Sequence, residues 1–473
     1  MPASLRLFCV LTFALTAVAP SAGGDWPAFR GPAGTGVAAE ERALPSELGP
    51  ESPSLVWKTD IPKGHSTPIV SSGRIFLTAF DKPRLVTMAL DVETGRVLWQ
   101  RESTYSKLEG FHRVGNPATP SVATDGEHVF SFFGSSGLAC YDFEGERQWF
   151  APMGPFQDSN GATGSPLLVG ERIVMIQDHD ANSYLAAYDK QTGRQLWKTL
   201  RPNAKRNYCS PVVWNTPGGN QIVIAGSAMV VGYDLETGQE IWTVRGISRV
   251  VDSTPVAGPS GLLYVSATGG GDASGQPAFE EVIETADANG NSTLEKDELP
   301  KSLIRNYFSQ FDRNVDGKLD RDEYESIRGI FNMSRSVAMA IRPGGRGDIT
   351  DSHVLWTHTT GIPRNPSPLL YEGRLYLIRD GGVVTCLDAS SGEQLKQARL
   401  PGRGKYFSSA VAGDGKVYCL SDRGELSVFS GDAECRVLSR AEFGEDVYAS
   451  PAIADGRIYI RTTKTLYCFG LKD

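Results

Sequence analysis

A hydroxyl residue followed by proline recurs through this chain at a nearly constant interval. It stands at Thr67-Pro68, Thr119-Pro120, Ser165-Pro166, Ser210-Pro211, Thr254-Pro255, Ser367-Pro368 and Ser450-Pro451, with Ser409-Ala410 in the remaining slot. The proline spacings are 52, 46, 45 and 44, then 113, then 83 across two repeats. A period of about 40–50 residues is that of a propeller blade, a unit that buries its faces only by stacking on neighbours. After each proline come a short apolar strand, a glycine turn and an alternating strand such as 74–80 (RIFLTAF) or 374–380 (RLYLIRD). A third strand ends in an aspartate turn and a fourth carries tryptophan, plainest in ALDVETGRVLW (89–99), AYDKQTGRQLW (187–197) and GYDLETGQEIW (232–242); CYDFEGERQW (140–149) is a shortened form. Aspartate caps such a turn, glycine tolerates its positive φ, and proline is accepted where a strand opens. The pattern predicts an all-β fold: an eight-bladed propeller of four-stranded antiparallel blades. The last repeat supplies only three strands, whereas SLVWKTDI (54–61) precedes the first repeat and carries Trp57. That N-terminal strand is therefore expected to complete blade eight, removing an open sheet edge.

These repeats resemble the quinoprotein-type, PQQ-like propeller family. The resemblance rests on the strand-opening Ser/Thr-Pro and on the AxDxxTGxxxW run with Trp99, Trp149, Trp197, Trp242 and Trp356. It implies that each tryptophan docks onto the neighbouring blade. Blades six and seven depart, with Lys396 and Leu438 read at the tryptophan position, so weaker docking is expected there. The opening DWPAFRGPAGTG (25–36) is similar to the lead-in of exported propellers of this kind.

A formal charge of −8 gives no basic footprint for nucleic acid. The first residues read as a signal peptide: Arg6, an apolar run from Leu7 to Val18, then Ser21, Ala22 and Gly23. No membrane span is expected in the mature chain, and the destination is periplasmic or extracellular. Cys140, Cys209, Cys386, Cys419, Cys435 and Cys468 are scattered; Cys140, Cys386 and Cys468 fall at equivalent repeat positions and should not bond to one another. They read as small buried apolar residues.

The wide gap exceeds the period by about seventy residues and falls between 261–269 and 335–341, inside blade five. Two twelve-residue segments in it match the EF-hand loop, whose oxygens at positions 1, 3, 5, 7, 9 and 12 suit a cation that takes six to eight of them. Loop two supplies Asp312, Asn314, Asp316, the Lys318 carbonyl, Asp320 and Glu323, with Gly317 at the sharp turn. Loop one supplies Asp287, Asn289, Asn291, Thr293, Glu295 and Glu298, but Ser292 replaces the glycine. Two Ca²⁺ ions are expected, the second loop holding the tighter one because it has four carboxylates against three and no strained serine. Apolar spacing at Phe279, Val282, Ile283 and Ala286, at Leu303, Tyr307, Phe308 and Phe311, and at Tyr324, Ile327 and Phe331 predicts flanking helices. The chain thus divides into a signal peptide (1–23), a lead-in (24–53), propeller (54–269), insert (270–334) and propeller (335–473).

The connections entering the innermost strands should ring the channel mouth, presenting His65, Pro117, Thr163, Tyr208, Asp252, Asn365, Phe407 and Tyr448. Aromatics among polar groups suit a carbohydrate, a peptide or a planar ligand, and nearby Arg113, Arg206, Arg249 and Arg364 favour anionic groups. His112 and the DHDAN segment (Asp178, His179, Asp180) suggest a metal or acid–base cluster, but these are also ordinary turn residues. GPAGTG (31–36) and GGGD (269–272) join no strand to a helix, and neither HExxH nor GxSxG occurs. The sequence therefore reads as an exported binding or scaffold protein with a protein or carbohydrate ligand at the channel face. The family resemblance supplies a rival, a PQQ-dependent dehydrogenase acting on an alcohol or sugar. It is disfavoured because the chain lacks the adjacent cysteines of many such enzymes and because its clear calcium ligands lie in the insert.

Overall fold

The computed structural model describes residues 24–471 apart from 39, 40, 42, 113, 159, 270–274 and 313. The expected signal peptide, Arg113 and most of the GGGD segment lie outside these residues. Eight four-stranded antiparallel blades close into a ring. Blade one is typical: Ile69–Ser71, Arg74–Asp81, Arg84–Asp91 and Val97–Ser103, each paired with the next. Its second and third strands are buried almost throughout, because neighbouring blades cover both their faces. The fourth strand alternates between exposed and covered positions, as an edge with one wet face must.

The N-terminal strand Leu55–Asp60 pairs antiparallel with Thr465–Gly470 and completes blade eight. A fully buried arginine reinforces this seam. Arg461 Nη1 donates to Ser66 Oγ (2.6 Å) and to the Thr78 carbonyl (2.9 Å), both in blade one. Burial lowers its pKa to about 9, which leaves it charged at neutral pH.

The recurrent hydroxyl residue has a structural role that spacing alone did not reveal. Each backbone N–H donates to the hydroxyl one blade further on: Thr67 to Ser121, Ser121 to Ser165, Ser165 to Ser210, Ser210 to Thr254, Thr254 to Ser367, Ser367 to Ser409 and Ser409 to Ser450, all at 2.9–3.1 Å. Blade two enters this ring through Ser121, after its proline, and not through Thr119. Its rim position is consequently Thr119, and the expectation of Pro117 there is corrected.

Tryptophan docking follows the blade order. The indole N–H groups of Trp57, Trp99, Trp149, Trp197 and Trp356 donate to Val92, Phe143, Lys190, Leu235 and Ala389 carbonyls of the next blade at 2.7–3.2 Å. The rings lie over the turn glycines of that blade; a Cβ on Gly193, at φ +69°, would stand 2.5 Å from Trp149. Trp242 differs, donating to Gln221 within its own blade (2.7 Å). The reason is the long third turn of blade five, which lays Gly347–Asp348 parallel to Trp242 and Thr243. Lys396 does occupy the tryptophan position of blade six, opposite Cys386. In blade seven that position is Ser439, opposite Val428, and not Leu438, because the preceding turn holds one extra residue.

The lead-in crosses the channel floor. Trp26 bridges Val70 in blade one, and the Thr124 N–H of blade two donates to the Pro27 carbonyl (2.9 Å). The buried Arg30 donates to the Pro368 carbonyl of blade six (2.7 Å), and Val37–Ala38 pairs parallel to blade seven. Three helices lie between the second and third strands of blade five: α1 (Phe279–Ala286), the short α2 (Leu303–Asn306) and α3 (Arg321–Met333). Phe279, Leu294, Phe311, Leu319, Tyr324 and Phe331 help build a core of their own there. Among the described residues, no helix is long and apolar enough to cross a membrane.

Candidate functional site

The channel mouth opens into a cavity of about 710 Å³. Seven of the eight connections named from sequence bring their rim residue to it: His65, Thr163, Tyr208, Asp252, Asn365, Phe407 and Tyr448; Thr119 supplies the eighth. Phe29 of the lead-in also lines it, so the channel is a cup with an aromatic at its base. That residue was missed because nothing periodic points to it.

The wall combines aromatic and charged side chains. On one side His65 packs on Tyr448 (centroids 4.4 Å apart) and Phe407 packs on Tyr448 (5.5 Å). Burial, with the Arg461 charge behind it, lowers the His65 pKa to about 3, so this imidazole is neutral and serves as an aromatic surface. Elsewhere on the wall Asp252 faces Arg364 at 3.5 Å, and Asp380, Lys405 and Asp422 also line it. Burial pushes the Asp252 carboxyl up to about 6 against the opposing pull of Arg364. Asp380 and Asp422 accept from the backbone N–H groups of Tyr406 (2.9 Å) and Lys405 (2.8 Å), which fixes the rim loop. The serine and threonine hydroxyls at this level accept the inter-blade N–H bonds and belong to the ring.

The acid–base candidates separate. His112 lines the cup, but Asp178, His179 and Asp180 do not. Asp178 forms a buried bidentate pair with Arg201 (2.8 and 3.0 Å), and Asp180 pairs with Arg206 (2.6 Å). His179 is buried between Asp158 (3.3 Å) and Gln177 (3.1 Å), stacked on Phe156. Asp178 and His179 do lie in the hairpin loop between Arg172–Gln177 and Tyr184–Asp189, as expected, but their side chains are buried and brace the blade from inside. Arg249 does not point at a ligand either. It lies over Tyr307 (4.3 Å) and Phe331 (5.0 Å), joining the insert to the connection that carries Asp252 three residues on.

In the insert, Leu294–Glu295 pairs antiparallel with Lys318–Leu319, setting Leu294 opposite Leu319. The Asp312 carboxylate accepts from the N–H groups of Asp316 (3.0 Å) and Gly317 (2.8 Å); Asp287 likewise accepts from Asn291 (3.1 Å) and Ser292 (2.9 Å). Asn289 and Asn314 oxygens accept from the residue two further on at 3.0 Å, as Asn291 and Asp316 do for Thr293 (2.8 Å) and Lys318 (2.9 Å). Asp320 and Glu323 form a capping box at the start of α3, and Glu298 accepts from Glu295 N–H (3.0 Å). Ser292 and Gly317 take the positive φ that position 6 demands (62° and 82°). The donors thus follow loop order, but among the described residues no three His, Cys, Asp or Glu side chains gather closely enough to hold a metal ion.

A family model described as outer membrane protein assembly factor BamB matches residues 20–162, 113–300 and 380–470. No curated protein sequence matches the chain. Among solved structures, BamB from Moraxella catarrhalis is similar at a TM-score of 0.52 with 11% identity, over 88% of this chain and 98% of that one. Quinohemoprotein alcohol dehydrogenase from Comamonas testosteroni scores 0.57 with 14% identity (96% and 82%), and the enzyme ADHIIG from Pseudomonas putida HK5 scores 0.57 with 12% identity (95% and 80%). At such identities the likeness is one of fold.

Proposed function

The chain belongs to the PQQ-like propeller family described as outer membrane protein assembly factor BamB, and from that premise we propose that it is an exported, non-catalytic binding or scaffold protein. Its ligand, a protein segment or a carbohydrate, enters the cup. The observation that carries this reading is the cup itself: rim residues from all eight blades, a floor made by the lead-in, and a wall that combines aromatic and charged side chains. An aromatic face with adjacent paired charges suits stacking plus a few directed hydrogen bonds.

Ca²⁺ is proposed for the two insert loops. Asp287, Asn289, Asn291, Thr293, Glu295 and Glu298 would hold one ion, and Asp312, Asn314, Asp316, the Lys318 carbonyl, Asp320 and Glu323 the other. The loop-order donors and the positive φ at position 6 support this reading; the carboxylates must draw together on binding. The ion would supply cross-bracing between the ends of each loop. Arg249 would pass that stiffness to the Asp252 connection. Capture of partners from an envelope fraction by the full chain tests the reading, run with calcium and with chelator. Retention of a discrete partner that weakens under chelation supports it; equal retention would reduce calcium to a structural role.

The dehydrogenase reading keeps one argument, the fold likeness to two quinohemoprotein alcohol dehydrogenases. Incubation with quinone and Ca²⁺ followed by alcohol-dependent dye reduction decides it. Reproducible turnover would overturn the non-catalytic assignment.

A further inference from the structure

The seam between blades six and seven is built differently from those that carry a docked indole. At those seams an indole lies over the positive-φ glycine of the next blade's turn, as Trp149 does over Gly193 and Trp356 over Gly392. Behind the indole, the third-strand residue opposite it is small: Ala89 behind Trp99, Ala187 behind Trp197, Ala340 behind Trp356, and a cysteine at two docked seams, Cys140 behind Trp149 and Cys468 behind Trp57. At the blade six–seven seam the indole is replaced by Lys396, which reaches out to Glu434 (3.2 Å). The third-strand residue behind it is Cys386. The turn residue it would have covered is Cys435, a non-glycine at φ 49° that directly precedes Arg436, whose carbonyl closes the turn on Ser430 N–H (2.9 Å). Subtracting the indole therefore leaves two cysteines facing each other across the seam.

Both are buried in one apolar cluster with Tyr376, whose hydroxyl donates to the Asp432 carbonyl (3.2 Å) in the same turn. We propose that Cys386 and Cys435 are an inter-blade disulfide site, a covalent clip standing where the tryptophan dock is missing. The two thiols already act on each other: a hydrogen bond with Cys435 holds Cys386 below the ordinary thiol range, while Cys435 is pushed up. With Cys386 attacking first, its thiolate cleaves a small-molecule disulfide RS–SR, forming a mixed disulfide and releasing RS⁻. Cys435 then loses its proton and attacks the Cys386 sulfur, displacing the second RS⁻. Two protein S–H bonds and one S–S bond become one protein S–S bond and two RSH. Because both thiols are buried, the exchange belongs to the folding chain or to transient opening of this seam. Its biological occasion rests on the export proposed above; its chemistry does not.

The test refolds the full chain from urea in oxidised and reduced glutathione, alkylates free thiols and maps linked peptides by mass spectrometry. The expected result is one dominant link, 386–435, with Cys140, Cys209, Cys419 and Cys468 alkylated. The oxidised chain should also show a higher urea midpoint than the reduced one, a difference that Cys435→Ser and the turn-restoring Cys435→Gly both abolish. No linked pair at all, or a mixture of links like that formed in urea, would overturn the proposal. Failure to capture an envelope partner would leave this result standing.

Discussion

Replacing Trp99 by alanine tests how the ring is held together, because its seam and the blade six–seven seam predict opposite outcomes. Trp99 is 8% exposed and donates to the Phe143 carbonyl at 2.7 Å. It also contacts Phe76 and Tyr141 (centroids 6.1 and 6.0 Å away) and the Arg101 guanidinium. Truncating a buried tryptophan removes its transfer energy and opens a cavity, about 3–5 kcal/mol in total. The Phe143 carbonyl is not stranded by the change, because Arg74 Nη1 also donates to it. Trp99→Phe keeps most of the area and loses the hydrogen bond, so about 1–2 kcal/mol is expected. Lys396→Ala, at the same repeat position in blade six, removes only an ion pair whose partners are 44% and 65% exposed. Such pairs contribute about 0–1 kcal/mol. Urea unfolding of the full chain, followed by tryptophan fluorescence and circular dichroism, measures all three from the shift in midpoint at constant slope. A Trp99→Ala loss no larger than that of Lys396→Ala would refute the docking account.

Two further outcomes follow from the geometry. Deleting residues 25–62 removes the closing strand and the floor together, and should yield an insoluble or molten product; a soluble truncation with a cooperative transition would argue against ring closure by Leu55–Asp60. Asp252 is an acid whose folded pKa is raised by burial to about 6, so its neutral form is favoured in the fold. Its contribution to stability is full below the unfolded value of about 4 and is lost as pH rises through about 6. Comparing urea midpoints of the wild type and Asp252→Asn between pH 4 and 7 should show the wild type losing ground over that window, and parallel profiles would contradict it.

The eight repeats and the closing strand were legible because a four-stranded blade writes its turns and its strand alternation locally. What the sequence misplaced were one-residue details decided between blades. Thr119-Pro120-Ser121 offers two hydroxyls, and only the N–H bonds from Thr67 and to Ser165 choose Ser121. Leu438 looked like the docking residue until the extra residue in the 430–436 turn moved Ser439 into register. The cup floor was illegible for a related reason: Phe29 and Arg30 belong to a non-repeating segment whose partners lie hundreds of positions away. The hairpin loop at Asp178 and His179 was legible, but not the burial of its side chains, because the partners that draw them inside, Arg201 and Asp158, lie more than twenty residues away. Seven of the eight rim residues read from spacing, from His65 round to Tyr448, do come together at one cavity, because every innermost strand starts at the same height.

Calorimetric titration of Ca²⁺ into the metal-free full chain tests the central functional claim most directly. The account predicts two sites, with Glu323→Gln abolishing the tighter and Glu298→Gln the weaker. A flat titration, or binding indifferent to both substitutions, would contradict it.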